Sequence, residues 1–228
     1  MGRYAVLKLG GHVLFKGLEL DVEYVKNLMS ELRLAAKAYD GLVVVVGGGE
    51  LARRYVAWGR QLSLNDSSLD VVGIRVARVN ASLLWAAYHG VAPPEVPSSI
   101  SEAVTLVPSW KVVFMGGLQP AQSTTTVAAL VAEALGAERL VIATDVDGVY
   151  DSDPKLNPRA RKLDTVTVAK LEEMFRGGVR AGGYRLFDPL TLAIIKRSCI
   201  ATQVVCGRPP SNVRRALAGE RIGTLVVA

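Results

Sequence analysis

Short apolar runs alternate along the chain with stretches of helical periodicity. The pattern predicts six strands, at Tyr4–Leu9, Leu42–Val46, Lys111–Met115, Leu140–Ala143, Gln203–Cys206 and Thr224–Val227. Between the first two strands, apolar residues from Val22 to Ala36 recur every three or four positions behind Asp21, a suitable N-cap. This alternation is typical of a mostly parallel sheet with helices on both faces.

Three further helices are predicted, over Glu50–Gln61, Leu69–Tyr88 and Thr124–Leu135, the last closed by Gly136. The proline-containing stretches 92–99 and 153–161 and the glycine-rich stretch 176–183 are interpreted as loops. None is long enough to be a linker between domains, and no internal repeat is present. We therefore expect residues 1–228 to form a single α/β domain.

Composition and charge narrow the class of protein. Of the 228 residues, 50% are hydrophobic and 21% are charged, which excludes a disordered chain. No apolar run approaches the roughly 18–20 residues of a membrane span, so we expect a cytoplasmic protein without a membrane partner. The net charge is +6, but the basic residues are scattered, which favours small phosphorylated ligands over nucleic acid.

Cysteine and histidine give no sign of metal or redox chemistry. Cys199 and Cys206 lack the spacing and the histidine companions of a zinc site, so we expect them to be buried free thiols. His12 and His89 have no nucleophile nearby in sequence and are interpreted as structural. The three tryptophans are expected in the core or at an interface.

Three predicted strands run directly into glycines. The segments are Lys8-Leu9-Gly10-Gly11, Val46-Gly47-Gly48-Gly49 and Met115-Gly116-Gly117. Glycine lets the backbone approach a ligand closely, and the ligands of open α/β sheets lie at the carboxyl ends of the strands. We therefore expect a binding site where these three strand ends meet.

Several residues around these glycines suit phosphate. Arg53 lies in the first turn after the glycine triplet, where it could add a bidentate contact to a phosphate at the helix N-terminus, although a tight turn with a surface arginine remains an alternative. Ser123 or Thr124 could cap the next helix, as part of a phosphate cradle or of an ordinary capped helix. Lys8, at the end of an apolar strand, either reaches solvent or places its charge on a transferring phosphoryl group.

The most distinctive segment is acidic. After the strand that ends at Ala143, four aspartates occur within nine residues, at 145, 147, 151 and 153. This density suits Mg²⁺ that bridges nucleotide phosphates. An EF-hand is excluded because Gly148 is not followed by the required glutamate and no helix precedes the loop. Walker, protein kinase and dinucleotide-binding glycine motifs are absent.

Taken together, the segments Lys8–Gly11, Val46–Gly49 and Ala143–Tyr150 resemble the amino acid kinase family. Within it, the chain is most similar to the archaeal-type uridylate (UMP) kinases, with further matches at Gly49–Tyr55, Leu69–Ile74, Gly116–Thr124, Ala181-Gly182 and Phe187–Leu190. The resemblance covers essentially the whole chain. It implies a three-layer α/β/α sandwich with a mostly parallel central sheet, transfer of the ATP γ-phosphoryl group to UMP, and a homohexamer.

The resemblance also implies roles for individual residues. Lys8 would stabilise the transition state, and Asp147 would orient the lysine and the metal, Mg²⁺ being held mainly through phosphates. ATP would contact Lys8, Gly10, Gly11, Gly49, Arg53, Thr144, Tyr150 and Asp153. UMP, bound in the N-terminal part of the chain, would contact Gly48, Arg53, Asp70, Leu118, Gln119, Pro120, Ala121, Gln122, Ser123 and Thr124.

Two details of the resemblance stay open. The family often carries glycine where this chain has Ala121, which puts the geometry of the acceptor loop in question. The second lysine on the ATP side of the family's site could correspond to Lys155 or to Lys162.

Two other functions also stay open. One is an isopentenyl phosphate kinase, although such enzymes carry a histidine beside the glycine triplet, where this chain has Val46 before it and Arg53 after it. The other is a noncatalytic module that binds nucleotides or oxyanions. The presence of Lys8, Asp145 and Asp147 argues against the second.

Overall fold

The computed structural model describes residues 2–91, 95–152, 157, 159–176 and 186–228. The strands in this part of the chain are β1 (Tyr4–Leu9), β2 (Phe15–Lys16), β3 (Glu19–Leu20), β4 (Gly41–Val46), β5 (Val112–Met115), β6 (Arg139–Thr144), β7 (Val149–Tyr150), β8 (Lys162–Leu163), β9 (Thr165–Thr167), β10 (Ala201–Cys206) and β11 (Thr224–Val227). The helices are α1 (Val22–Ala35), α2 (Gly49–Gln61), α3 (Asp66–His89), α4 (Ile100–Trp110), α5 (Thr124–Leu135), α6 (Val168–Arg176), α7 (Pro189–Ser198) and α8 (Ser211–Leu217).

A seven-stranded sheet with the order β5-β4-β1-β6-β10-β11-β9 forms the centre of the molecule. The first five strands in this order are mutually parallel, and β11 runs antiparallel to β10. Helices α1 and α8 pack together on one side of the sheet, and α4, α5 and α7 pack on the other. The predicted α/β fold with a mostly parallel central sheet is therefore confirmed.

The core lies on both faces of this sheet. All six residues of β4 are buried, and the largest fully buried side chains include Trp85 from α3 and Phe114 from β5. Burying one such large apolar side chain contributes roughly 1.5–3 kcal/mol, so the central strands are the most stable part of the fold. Among the described residues, no helix is both long and apolar enough to cross a membrane.

All six predicted strands and all four predicted helices are present, with bounds that differ by up to three residues. The largest shift is at α3, which begins at Asp66 because the Asn65 side chain accepts a hydrogen bond from the Ser68 amide (2.9 Å). The sequence analysis missed α4, α6, α7 and α8, which are shorter than most of the predicted helices, and the small strands. Of the predicted loops, residues 95–99, 157 and 159–161 are non-helical, whereas 92–94, 153–156, 158 and 177–183 lie outside the described residues. The expected loop was wrong at Arg176, which is the last residue of α6.

The expectation of two buried cysteines was wrong for one of them. Both thiols are free, but Cys199 is exposed and Cys206 is partly buried. Cys199 lies at the C-cap of α7 in the left-handed conformation (φ 50°), two residues before β10. Of the tryptophans, Trp85 is in the core, whereas Trp58 is exposed on α2.

The strand order creates a crevice beside β1. From β1 the chain moves in one direction across the sheet to β4 and β5, and it then returns to the other side of β1 with β6 and β10. Ligands of open α/β sheets bind at such a reversal, outside the carboxyl ends of the strands. The strand ends are tied together by Gly10 N–H to Ala143 O (2.8 Å), Gly47 N–H to Leu9 O (2.9 Å) and Gly207 N–H to Thr144 O (2.7 Å).

The loops that follow β1 and β4 touch through their backbones. A Cβ atom on Gly11 would overlap the backbone of Gly49 and would lie 2.8 Å from the Gly47 carbonyl oxygen. Gly49 also has φ +65°, a conformation that side chains rarely adopt. Only glycine at both positions allows this approach.

The glycine after β5 has a different role. A Cβ atom on Gly116 would lie 2.7 Å from the backbone nitrogen of Arg78 in α3. Gly116 is therefore required for helix packing, in addition to any close approach of a ligand.

We predict that Gly11→Ala destabilises the protein by about 1–3 kcal/mol, because the added methyl group separates the two loops. Gly73→Ala is the matched control: it lies inside α3, where a Cβ atom would be 3.9 Å from its nearest neighbour. There alanine should stabilise by about 0.5–1 kcal/mol. Unfolding in guanidinium chloride, followed by circular dichroism, measures both changes. Equal effects of the two substitutions would contradict the proposed overlap.

Candidate active site

A cleft between α2, α3 and the loop after β5 contains several of the residues predicted to bind UMP. Its cavity volume is about 170 Å³, and it opens to solvent. Gly48, Asp70, Gln119, Gln122 and Thr124 line it, together with apolar residues of α2 and α3. The cleft therefore combines an apolar wall with polar groups from three separate segments.

The loop that closes this cleft is held by α3. The Asp70 carboxylate accepts a hydrogen bond from the Ala121 amide (2.8 Å), and Arg78 donates to the carbonyl oxygens of Gly117 (3.0 Å) and Leu118 (3.4 Å). Ala121 has φ +61°, which costs an alanine roughly 1–2 kcal/mol relative to the right-handed region. This conformation accounts for the glycine that the resemblance led us to expect at this position.

The hydroxyl groups at the start of α5 are only partly available to a ligand. Ser123 is the N-cap, accepting from the Thr126 amide (3.0 Å), as predicted. The hydroxyls of Ser123 and Thr126 both donate to Asp188 Oδ2, at 2.6 and 2.7 Å, so they bind a carboxylate that also caps α7. Burial alone would raise the pKa of Asp188, but these hydrogen bonds keep that pKa below its ordinary value. Of the hydroxyls predicted to form the cradle, the one on Thr124 lines the cleft.

The glycine triplet leads into α2, whose N-terminus faces the same cleft. The buried Asn80 side chain of α3 fixes the triplet by donating to the carbonyl oxygens of Gly47 (3.0 Å) and Gly48 (3.3 Å). Arg53 projects from the first turn with a largely exposed side chain, 3.9 Å from Glu50. The first-turn N–H groups and this exposed guanidinium group favour an anion here.

Lys8 lies on the other side of the triplet, at the crevice between β1 and β6. A Cβ atom on Gly10 would be 3.6 Å from both the Lys8 Nζ atom and the Thr144 Cα atom, so the ammonium group is beside both strand ends. Burial lowers the pKa of Lys8 to about 8, and the nearby Asp145 carboxylate partly opposes this shift. A desolvated ammonium group at the mouth of the crevice interacts strongly with a phosphate.

The aspartates after β6 have separate partners. The Thr144 hydroxyl donates to Asp145 (3.1 Å), whereas Asp147 accepts from the Tyr150 hydroxyl (2.7 Å) and lies 3.8 Å from Lys162 Nζ. The carboxylate that counters the burial of Lys8 is thus Asp145. The role of Asp147 in orienting Lys8 stays a prediction.

The predicted site residues therefore fall into two groups at one edge of the sheet. Of the residues predicted to bind UMP, five line the cleft beside α3, and Arg53 is not among them. Of those predicted to bind ATP, Lys8, Gly10 and Thr144 lie at the crevice between β1 and β6. Asp153 and Lys155 lie outside the described residues, as does the match at Ala181-Gly182.

Sequence reasoning missed several residues that support the site. Asp188 and Asn80 hold the cleft through hydrogen bonds, and Arg78 holds its loop. A cap signal was available for Asp188, which precedes Pro189 at a helix start. The other two occupy ordinary positions within a long helix, where no local pattern distinguishes them.

No group of three or more histidine, cysteine or acidic side chains converges on a metal site within the described part of the chain. The carboxylates at the edge are Asp145 and Asp147, on the loop after β6.

An open α/β sheet with glycine-rich strand ends and a polar cleft beside α3 defines a ligand-binding α/β protein. Residues 3–206 match the amino acid kinase family, and the chain belongs to it. It is 47% identical to a uridylate kinase of Thermofilum pendens, over 98% of this chain and 97% of the relative. It is 41% identical to the uridylate kinase of Pyrobaculum calidifontis, over 97% and 98% of the two chains.

A solved structure agrees with these sequence relatives. The crystal structure of uridylate kinase from Archaeoglobus fulgidus superposes with a TM-score of 0.86 at 37% identity, covering 98% of this chain and 99% of the other. The UMP kinase of Bacillus anthracis, at 20% identity and a TM-score of 0.80, shares the fold.

We predict that Lys8 makes the protein more stable as the pH rises from about 8 towards 10.5. The folded protein releases the Lys8 proton near pH 8, whereas the unfolded chain keeps it up to about 10.5, so the unfolded state binds more protons in this window. The slope is at most about 1.4 kcal/mol per pH unit. Guanidinium unfolding between pH 7 and 10 should show that Lys8→Met lacks this increment. Parallel curves for the two proteins would show that the pKa of Lys8 is ordinary.

Proposed function

We propose that this protein is a UMP kinase, which transfers the γ-phosphoryl group of ATP to UMP and releases UDP and ADP. The observation that carries the proposal is the position of Lys8 beside the β1/β6 crevice, next to a separate polar cleft across the Gly11–Gly49 contact. The names of the relatives, uridylate kinases that align over almost their whole length, support the choice of UMP.

In this proposal the two clefts hold the two substrates. The N-terminal part of the chain binds UMP in the cleft beside α3, with its phosphate at Gly48 and Arg53 and its nucleoside near Asp70. The C-terminal part contributes Thr144 and Tyr150 to ATP binding. Arg53 lies at the boundary, so it could contact the phosphates of either nucleotide.

The reaction then needs positioning and charge more than acid–base chemistry. The acceptor is a phosphate oxygen of UMP that is already ionised at neutral pH, so no residue has to remove a proton from it. This oxygen forms a bond to the γ-phosphorus of ATP while the bond to the β,γ-bridging oxygen breaks, and ADP leaves with that electron pair. The Lys8 ammonium group neutralises charge on the transferring group, and its partial burial strengthens this interaction.

The residues at the edge also fit Mg²⁺. Mg²⁺ usually binds one or two carboxylates together with substrate phosphates and water, and Asp145 and Asp147 offer such carboxylates on the loop after β6. We propose that either aspartate contacts the ion directly or through water. The ion would supply charge neutralisation between the β- and γ-phosphates.

A reaction between two nucleotides also implies a cytoplasmic location.

The homohexamer implied by the resemblance has a candidate surface on this chain. Tyr55 and Trp58 of α2 and Val79 and Leu83 of α3 are large apolar residues with 46–65% of their surface exposed. Exposed apolar patches of this kind mark interaction surfaces. We propose that they pack against other copies of the chain.

Multi-angle light scattering tests the assembly. We predict a mass of six times the 24.4 kDa of one chain, and we predict that Val79→Asp reduces it, because an unpaired carboxylate would be desolvated at the contact. The charge-neutral control is Val91→Thr, which is also exposed but lies beyond α3. A monomer for the unmodified chain would exclude this part of the proposal.

An ADP-release assay tests the reaction itself. With ATP and Mg²⁺, we expect selective turnover of UMP over CMP, dTMP, AMP and isopentenyl phosphate. Lys8→Ala should lower kcat by at least about 100-fold, because one charge-stabilising donor is lost, while nucleotide binding stays measurable. Turnover of isopentenyl phosphate alone would keep phosphoryl transfer but replace the acceptor. No turnover with any acceptor would favour a noncatalytic binding protein.

A further inference from the structure

His12 lies where the two halves of the candidate active site meet. It occupies the middle of the 3-10 turn Gly11–Val13, immediately after the glycines that follow β1. Because the Gly11 backbone packs directly against Gly49, this turn is placed against the start of α2. His12 also lines a cavity, separate from the cleft beside α3, with Glu50 and Arg54 of that helix and with Phe15, Gly17 and Leu18 from β2 and the turn after it.

The charged groups near His12 belong both to the proposed ATP site and to the proposed UMP site. The groups that act on its imidazole are Arg53 and Glu50 of α2, Lys8 of β1 and Asp145 after β6, and Arg54 lines the same cavity. Lys8 belongs to the donor side of the site, whereas Arg53 is at the acceptor phosphate. A side chain that interacts with both Lys8 and Arg53 lies near the place where the phosphoryl group would be transferred.

Within the described part of the chain, neither ring nitrogen of His12 has a hydrogen-bond partner, although the residue is half-buried. Burial and the positive charge of Arg53 lower its pKa, so the ring is neutral at pH 7 and carries one N–H donor. His89 differs, because its Nε2 atom is 2.8 Å from the Val112 carbonyl oxygen and its ring packs among aromatic side chains.

We propose that His12 is a catalytic residue whose ring N–H donates a hydrogen bond to a non-bridging oxygen of the phosphoryl group during transfer. This inference rests on the proposed kinase function and replaces the interpretation of His12 as structural. The imidazole neither gains nor loses a proton in the step. It adds a directional donor between Lys8 and Arg53, where charge on the equatorial oxygens is highest.

The position explains why a neutral donor is suited to this point. Lys8, Arg53 and Arg54 already supply positive charge, so a further cation would be repelled by its neighbours. A neutral N–H still orients towards a phosphoryl oxygen, and loss of one such preorganised donor can lower the rate by about 100-fold or more.

The test compares three single substitutions by steady-state kinetics with ATP, Mg²⁺ and UMP. We expect His12→Ala to lower kcat about 100-fold while both KM values stay within about threefold, because the lost contact forms only in the transition state. His12→Asn, which keeps a neutral N–H donor, should recover at least a tenth of the wild-type kcat. The control is His89→Asn, which removes a histidine distant from the site and should leave kcat unchanged.

The outcomes separate this inference from the proposed function. If the wild-type chain shows no turnover of UMP, the proposed function fails before any variant is considered. If the wild type is active and His12→Ala keeps its kcat, or loses only substrate affinity through a raised KM, the catalytic role of His12 is overturned. Equal losses for His12→Asn and His12→Ala would also overturn it, provided that melting curves show both variants folded.

Discussion

The backbone contact between Gly11 and Gly49 is the constraint on which the rest of the site depends. It brings the loop after β1 against the loop after β4, and no residue with a Cβ atom could take the place of Gly11 without moving one of them. The contact sets the distance between the Lys8 crevice and the cleft beside α3. In the proposed reaction this junction would hold the two substrates next to each other, and such positioning is a main source of rate in phosphoryl transfer.

Charge is arranged around that junction at some cost to stability. Lys8 is partly buried with its pKa lowered to about 8, which means that the folded protein holds the ammonium group less favourably than water does. Attraction to the Asp145 carboxylate offsets part of this unfavourable free energy. A substrate phosphate would offset more of it, so the environment of Lys8 favours binding of an anion.

The acceptor cleft is built by a different means, from hydrogen bonds that originate in α3 and α7. Asp70 and Arg78 fix the loop after β5, and Asn80 fixes the glycine triplet. Asp188 joins the starts of α5 and α7. These polar side chains hold the cleft without occupying it, which lets its shape be rigid while Gln119, Gln122 and Thr124 remain on its surface.

The sequence by itself determined the strands, the longer helices and the edge of the sheet at which ligands bind. Those features depend on local periodicity and on glycines at strand ends, and both are properties of neighbouring residues. The family resemblance added the expected chemistry of Lys8 and of the aspartates after β6. Only the tertiary structure decided which aspartate lies near Lys8, that Asp188 binds the hydroxyls of α5, and that His12 lies beside Glu50 at the start of α2. These relations join distant segments, such as Lys8 and Asp145, which are 137 positions apart, and no local pattern records them.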